Sequence, residues 1–160
     1  AFYTDVLGMR RIKMTSNFDD PSSAHWYWGV GDGVPGTIIT YFERDLKKTR
    51  YAEMGIGMTH HFAFAVENET VQEEYRKRLS RAGYRVSQII DRQYFRSIYT
   101  HDPDGHIVEL ATMGPGFMVD EPVETLGESL QLPPQYEAQR DQLMGILQPI
   151  TVDKWVNPLK

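Results

Sequence analysis

The 160-residue chain contains no cysteine, which excludes disulfide bonds, thiolate chemistry and cysteine-based zinc sites. Any bound metal must therefore be held by histidine and carboxylate side chains. No apolar run in the sequence approaches the roughly 18 residues that a membrane-spanning helix needs, and no signal-peptide pattern is present. We therefore expect no membrane partner and a cytoplasmic location.

Basic residues are also few and scattered. Lys and Arg number 17 against 22 Asp and Glu, which gives a net charge of -5, and no basic run is available to neutralise phosphates. The sequence therefore predicts no nucleic-acid partner.

Alternating apolar residues, helical periodicity and turn residues predict an α+β chain. The order of predicted elements is that of two βαβββ units, of which the first lacks its opening strand. The sequences LGMR and AGYR end the first and second predicted helices in the same way, with glycine between helix and strand. The predicted elements are a helix at 1–7, strands at 10–15, 25–30, 37–42 and 59–66, a helix at 70–82, strands at 85–91, 94–100 and 106–112, and a helix at 134–147.

These elements predict one domain over residues 1–117. It contains module one (1–45), a linker (46–57) and module two (58–117). A tail (118–160) follows with one helix. Because nothing caps the start of the first helix, we expect the natural protein to extend upstream.

Two side chains of module two have unusual surroundings. In residues 60–66 (HHFAFAV), the two-residue period of a strand places His61 on a face with two alanines, which leave room for another group. In residues 106–112 (HIVELAT), both faces carry apolar residues, so Glu109 is predicted to be buried and then neutralised, paired with arginine or bound to a metal. The alternatives are a solvated histidine at a strand end and a glutamate facing water from an edge strand.

His61 and Glu109 would supply two of the three ligands of the 2-His-1-carboxylate triad that binds Fe(II) in non-haem enzymes. The third ligand is not evident. His25 remains, whereas His101 and His106 flank the predicted turn at 102–105 and are expected to be exposed. The strand that module one lacks would occupy the pseudo-symmetric position, so the missing ligand is expected in that strand.

Three segments, together with the paired βαβββ order, resemble the vicinal oxygen chelate superfamily, and more narrowly its ring-cleaving dioxygenases of the hydroquinone and catechol type. The resemblance covers nearly the whole chain. It implies a curved mixed sheet around a metal and substrate pocket, with Fe(II), or alternatively Mn(II), bound by His61 and Glu109. The segments are THHFAFAV, YFRSIYTHDPDGHIVELATMGPGF and DEPVETLGESLQLPPQYEAQRDQL.

The same resemblance implies two further site residues, Tyr99 and His60, and Arg92 is a third candidate. Tyr99 would line the pocket as a hydrogen-bond donor to substrate or bound oxygen. His60 would either support the ligand His61 or act as an acid–base residue. Arg92 would offset the charge of an anionic substrate. From the residues alone, the pattern at Tyr99 is equally consistent with a strand tyrosine that packs, and an arginine near a strand boundary such as Arg92 is usually solvated.

The resulting hypothesis is a non-haem, metal-dependent, extradiol-type dioxygenase that uses O2 to cleave a hydroquinone or catechol-like ring. One alternative is a glyoxalase-like metal isomerase or lyase. Another is a metal-free module that binds an aromatic ligand, as resistance proteins of this superfamily do. Since lone modules of this fold tend to pair, we also expect a homodimer.

Overall fold

The computed structural model describes residues 1–51 and 53–148. It divides the chain into two compact units, Ala1–Gly114 and a second that begins at Pro115. The first unit contains two β-sheets and one long helix, which confirms the predicted α+β class built on βαβββ modules. The module and tail boundaries drawn from the sequence stay predictions, and residues 149–160 of the tail lie outside the described residues.

Module one forms a three-stranded antiparallel sheet in the order β1-β2-β3, close to the strands that the sequence predicts. The helix expected at 1–7 is instead a π-helical segment, Phe2–Val6, in which the Leu7 N–H donates to the Phe2 carbonyl at 3.0 Å. This wider turn ends at Gly8, whose φ of 74° is the left-handed conformation that glycine adopts without steric cost. The strands are β1 (Arg10–Ser16), β2 (Ala24–Gly29) and β3 (Ile39–Phe42).

Module two has the complete βαβββ order. Its sheet runs β4-β7-β6-β5, with β4 parallel to β7 and the other pairs antiparallel. Asn68 caps the helix, because its side-chain oxygen accepts the Val71 N–H at 3.0 Å. The elements are β4 (His61–Val66), α1 (Glu69–Arg81), β5 (Ile90–Asp91), β6 (Arg96–His101) and β7 (Ile107–Thr112).

The strand predicted at 85–91 is wrong over most of its length. Only Ile90–Asp91 forms a strand, together with an isolated bridge between Val86 and Thr100. Side-chain hydroxyls replace part of the backbone ladder: the Tyr99 N–H donates to Ser87 Oγ at 3.0 Å, and Thr100 Oγ1 donates to the Arg85 carbonyl at 2.8 Å. Such local side-chain bonds compete with regular strand pairing.

The hydrophobic core lies between α1 and one face of the module-two sheet, and it extends to the N-terminal π-helical segment. Leu79 of α1 and Val108 of β7 are fully buried, and Ile98 and Leu110 are nearly so. Because side chains alternate along a strand, the opposite face of this sheet carries a different set, which includes Glu109.

Each sheet has an outer strand at the side where a further strand would join. Among residues 1–51 and 53–148, β3 pairs only with β2, and β4 pairs only with β7. A cleft of about 180 Å³ lies beside β4, lined by Ala63 to Val66 of that strand and by Gly36 and Thr37 ahead of β3. No strand of the described residues fills the place of the opening strand of module one.

The described part of the second unit, residues 115–148, contains short helical turns. Phe117–Val119, Val123–Thr125 and Pro134–Gln139 are 3₁₀ helices, and α2 covers Arg140–Ile146. The single helix predicted at 134–147 is therefore α-helical only in its second half. Proline at 134 has no N–H to donate, and the first turn is closed by the tighter bond from the Tyr136 N–H to the Pro133 carbonyl at 2.9 Å. No helix in the described part of the chain has the length and apolar character needed to span a bilayer.

Candidate metal centre and active site

Glu109 lies in β7, between β4 and β6, and is 3% exposed. Its register partners are Tyr99 on β6 and Ala63 on β4. The methyl group of Ala63 is small enough to leave the carboxylate open toward His61, which lies two residues earlier on the parallel strand β4. A buried carboxylate must be compensated by hydrogen bonds, by a proton or by a cation, because burial without a partner costs several kcal/mol.

The two carboxylate oxygens of Glu109 have different partners. Oε1 accepts hydrogen bonds from Ser97 Oγ and from the Tyr99 hydroxyl, the latter at 3.0 Å. Oε2 lies 2.8 Å from His61 Nε2. One oxygen is therefore held by hydroxyl groups, and the other faces an imidazole nitrogen.

The adjacent histidines His60 and His61 lie beside the Glu109 carboxylate. His60 Nδ1 lies 2.9 Å from His61 Nδ1, and the two rings are perpendicular. Both nitrogens of His61 therefore have a neighbour, Glu109 on one side and His60 on the other. Because His60 is exposed, this side of the pair is open to solvent.

Arg92 extends the chain of contacts on the opposite side. Its Nη2 donates to the Tyr99 hydroxyl at 3.3 Å, and its guanidinium carbon lies 5.6 Å from the centre of the Tyr99 ring, a cation–π distance. The β5–β6 turn that carries Arg92 is fixed by the Gln93 N–H donating to Asp91 Oδ1 at 2.7 Å, with Gln93 in the left-handed region at φ 69°.

All five site residues predicted from the sequence thus lie in one continuous series of contacts: Arg92, Tyr99, Glu109, His61 and His60. Sequence reasoning missed Ser97, which contacts the same carboxylate. The alternation along β6 places Ser97 and Tyr99 on one face, but a serine in a strand gives no sign of the glutamate that it touches. The metal-binding and catalytic roles of the five residues stay predictions.

The histidines considered for a third ligand lie elsewhere. His25 packs between Tyr27 and Phe42 and contacts the Tyr27 hydroxyl at 2.7 Å through Nδ1. His101 and His106 are exposed, as expected from the turn. Within residues 1–51 and 53–148, neither these histidines nor another Asp or Glu joins His61 and Glu109 to form a group of three potential ligands.

A second polar cluster occupies the turn between β6 and β7, where Asp102, Asp104 and His106 place potential metal ligands close together. Asp102 is buried, and its carboxylate accepts the Tyr3 hydroxyl at 2.7 Å and the Tyr41 hydroxyl at 3.2 Å. It also accepts the backbone N–H groups of Asp104 and His106 and lies 3.1 Å from His106 Nδ1. The hydrogen bonds thus compensate this carboxylate without an ion.

Burial, which is the larger cause, and the bonds to Tyr41 and Asp102 raise the pKa of Tyr3 far above its ordinary value. Burial also raises the pKa of Tyr41, although its bond with Tyr3 acts in the opposite direction. Both hydroxyls therefore stay protonated and act as donors. They connect the π-helical segment and β3 of module one to the β6–β7 turn of module two.

The fold and the surroundings of Glu109 place the chain among proteins built from βαβββ modules. Residues 1–110 match the sequence model of the Glyoxalase/Bleomycin resistance protein/Dioxygenase superfamily, and the chain belongs to this superfamily, also called the vicinal oxygen chelate superfamily. MhqA of Bacillus subtilis (strain 168), which is named provisionally as a ring-cleaving dioxygenase, is 40% identical over 121 residues, covering 75% of this chain and 37% of MhqA.

The chlorohydroquinone/hydroquinone 1,2-dioxygenase of Sphingobium indicum (strain UT26S) is 33% identical over 119 residues, covering 73% of this chain and 36% of that enzyme. This chain therefore spans less than two-fifths of the length of either relative. A crystal structure of a provisionally named dioxygenase from Bacillus subtilis subsp. subtilis str. 168 shares the fold, with a TM-score of 0.61 and 24% identity over 96% of this chain and 93% of that one.

Proteins of this superfamily and its dioxygenases are generally metal-dependent. The residues around Glu109 fit a divalent cation for two reasons. Imidazole nitrogen and carboxylate oxygen are ligands that iron and manganese accept. In addition, among the described residues Glu109 has no ion pair with Lys or Arg, so a buried negative charge is balanced only by hydroxyl groups and His61. A bound cation would supply the missing positive charge.

Proposed function

We propose that this chain carries the active site of a metal-dependent, ring-cleaving dioxygenase of the extradiol type, acting on a hydroquinone or catechol-like ring. The observation that supports this most directly is the buried Glu109 carboxylate, whose Oε2 lies 2.8 Å from His61 Nε2. The names of relatives such as the chlorohydroquinone/hydroquinone 1,2-dioxygenase support the reaction class.

His61 and Glu109 would hold Fe(II), or alternatively Mn(II). When bound, the ion supplies Lewis-acid polarisation of the ring oxygens and a coordination position open to oxygen. Two protein ligands do not complete a facial triad, and we propose that the third belongs to a strand other than those of the described residues.

The remaining residues of the site would bind substrate and manage its protons. Tyr99 lies beside the carboxylate with its hydroxyl 3.0 Å from Glu109 Oε1, so the hydroxyl could donate to an oxygen on the substrate. His60, exposed and 2.9 Å from His61, could accept a proton as the ring oxygen ionises. The Arg92 guanidinium, next to Tyr99, would attract and balance a phenolate.

Oxygen consumption tests the reaction class. The iron-loaded chain is mixed anaerobically with catechol, hydroquinone or chlorohydroquinone, oxygen is admitted, and uptake is followed with an electrode together with loss of the aromatic absorbance. We expect uptake only in the presence of an aromatic substrate, and loss of that uptake in Glu109→Gln. A metal-loaded protein that consumes no oxygen with any of these rings would contradict the proposal.

A metal-free module that binds an aromatic ligand is the second candidate. It is favoured by one observation, that the described residues contribute only two potential ligands at Glu109. Quenching of tryptophan fluorescence by a catechol would separate the two functions. Binding that persists unchanged after treatment with a chelator supports the metal-free module, and binding that requires metal supports the dioxygenase.

We also propose a homodimer. The outer edges of β3 and β4 have no ladder partner among the described residues, and unpaired strand edges are places where another chain can add. Light scattering at known concentration tests this, and a mass of one chain at every concentration would contradict it.

A further inference from the structure

Ser97 holds Glu109 from a position that substrate cannot reach. It is fully buried at 0% exposure, and its Oγ donates to Glu109 Oε1. Ser97 lies on β6 opposite Ala111 of β7, two residues from the Tyr99–Glu109 pair. Because Ser97 and Ala111 are both small, the carboxylate has room to lean toward the serine hydroxyl.

The two oxygens of the Glu109 carboxylate have different hydrogen-bond partners. An oxygen of an ionised carboxylate has two acceptor positions, and those of Oε1 are occupied by the hydroxyls of Ser97 and Tyr99. Oε2 has His61 as its neighbour. The side chain is therefore held with a single oxygen turned toward the imidazole.

The two hydroxyl groups are not equivalent. The Tyr99 hydroxyl also accepts a hydrogen bond from Arg92. Because Tyr99 is only half-buried, this hydroxyl can reach other partners. Ser97 is enclosed by the sheet, and the bond it makes to Oε1 has no competitor from solvent. When Tyr99 turns to a substrate, Ser97 is the donor that stays on the carboxylate.

We infer that Ser97 is a positioning residue, which keeps Glu109 as a metal ligand through Oε2 alone. This inference rests on the proposed metal-binding function of His61 and Glu109. Hydrogen-bond partners of metal ligands orient the ligand, and their removal typically weakens metal binding by about 10- to 100-fold. Without Ser97, only the Tyr99 hydroxyl would restrain Oε1, and the carboxylate could rotate more freely.

The test uses Co(II) as a visible stand-in for iron or manganese. Its affinity is measured by titration calorimetry and its coordination by the visible absorption spectrum, on the wild-type chain, Ser97→Ala and Thr100→Val. Thr100 is the matched control, since it is a buried hydroxyl on the same strand whose Oγ1 donates to the Arg85 carbonyl. Thermal unfolding by circular dichroism establishes that each variant is folded at the temperature used.

We expect Ser97→Ala to raise the Kd for Co(II) by about 10- to 100-fold and to alter the Co(II) spectrum, while Thr100→Val changes neither. A general loss of sheet stability would not change the spectrum of the bound ion. Wild-type affinity and spectrum in Ser97→Ala, or equal losses in both variants, would overturn the inference while leaving the proposed function intact. A wild-type chain that binds no Co(II) would instead contradict the proposed function, and the role of Ser97 with it.

Discussion

Replacing Asp102 by alanine is expected to lower the free energy of unfolding by about 3 kcal/mol, because buried hydroxyl and N–H donors lose a charged acceptor. The Asp102 carboxylate accepts hydrogen bonds from the hydroxyls of Tyr3 and Tyr41 and from two backbone N–H groups. A buried donor that loses its acceptor costs about 1–3 kcal/mol. Tyr3, which is 7% exposed, and Tyr41 would then have only each other, at 2.6 Å, so one of the two hydroxyl hydrogens loses its acceptor.

Asp102→Asn is a milder change, because the amide oxygen can still accept the backbone N–H groups. The loss of charge should cost about 1–2 kcal/mol. The control is Asp104→Asn, an exposed residue of the same turn, which should change stability by less than about 0.5 kcal/mol.

Urea unfolding followed by circular dichroism and tryptophan fluorescence measures all three variants. The expected order of destabilisation is Asp102→Ala, then Asp102→Asn, then Asp104→Asn. If Asp102→Ala costs no more than Asp104→Asn, the hydrogen bonds to Asp102 do not stabilise the contact between the two modules.

Three further outcomes are expected. The free energy of unfolding should fall as pH rises above about 10, because Tyr3 ionises there in the unfolded chain, whereas burial keeps its pKa raised in the folded chain. Urea titrations at several pH values measure this fall. Tyr3→Phe should make it less steep. Asn68→Ala should cost about 1 kcal/mol in the same assay, since the Val71 N–H loses its cap, and Asn68→Asp should cost little. Tyr99→Phe should slow oxygen uptake, measured with an electrode, by about 100-fold. Its metal content, measured by mass spectrometry, should stay unchanged. A loss of metal would show that Tyr99 is needed to hold Glu109.

The two-residue period of strands was sufficient to predict much of the site. It placed His61 on the face with two alanines and Glu109 in a strand buried on both sides, and the structure brings these two side chains to 2.8 Å. Both predictions depend on the alternation of side chains between the two faces of a strand, which the sequence of that strand alone determines. The resemblance to a known superfamily added Tyr99 and His60, which periodicity alone would not have selected, and Arg92 was a separate candidate.

Contacts between distant parts of the chain could not be predicted in this way. In the sequence, Asp102 belongs to a predicted surface turn. In the structure it is buried against Tyr3, which lies 99 positions earlier. Ser97 acquires its role from Glu109 on the next strand. The predicted strand at 85–91 was wrong because hydroxyls of Ser87 and Thr100 take over part of its hydrogen bonding, and strand propensity does not register such competition.

Metal content per chain shows whether His61 and Glu109 bind a metal ion. The chain is purified without added metal, equilibrated anaerobically with Fe(II) or Mn(II), freed of loose ions and analysed by mass spectrometry beside His61→Ala and Glu109→Gln. We expect roughly one ion per chain in the wild type and almost none in either variant. Equal metal content in all three proteins, or none in the wild type, would contradict the assignment.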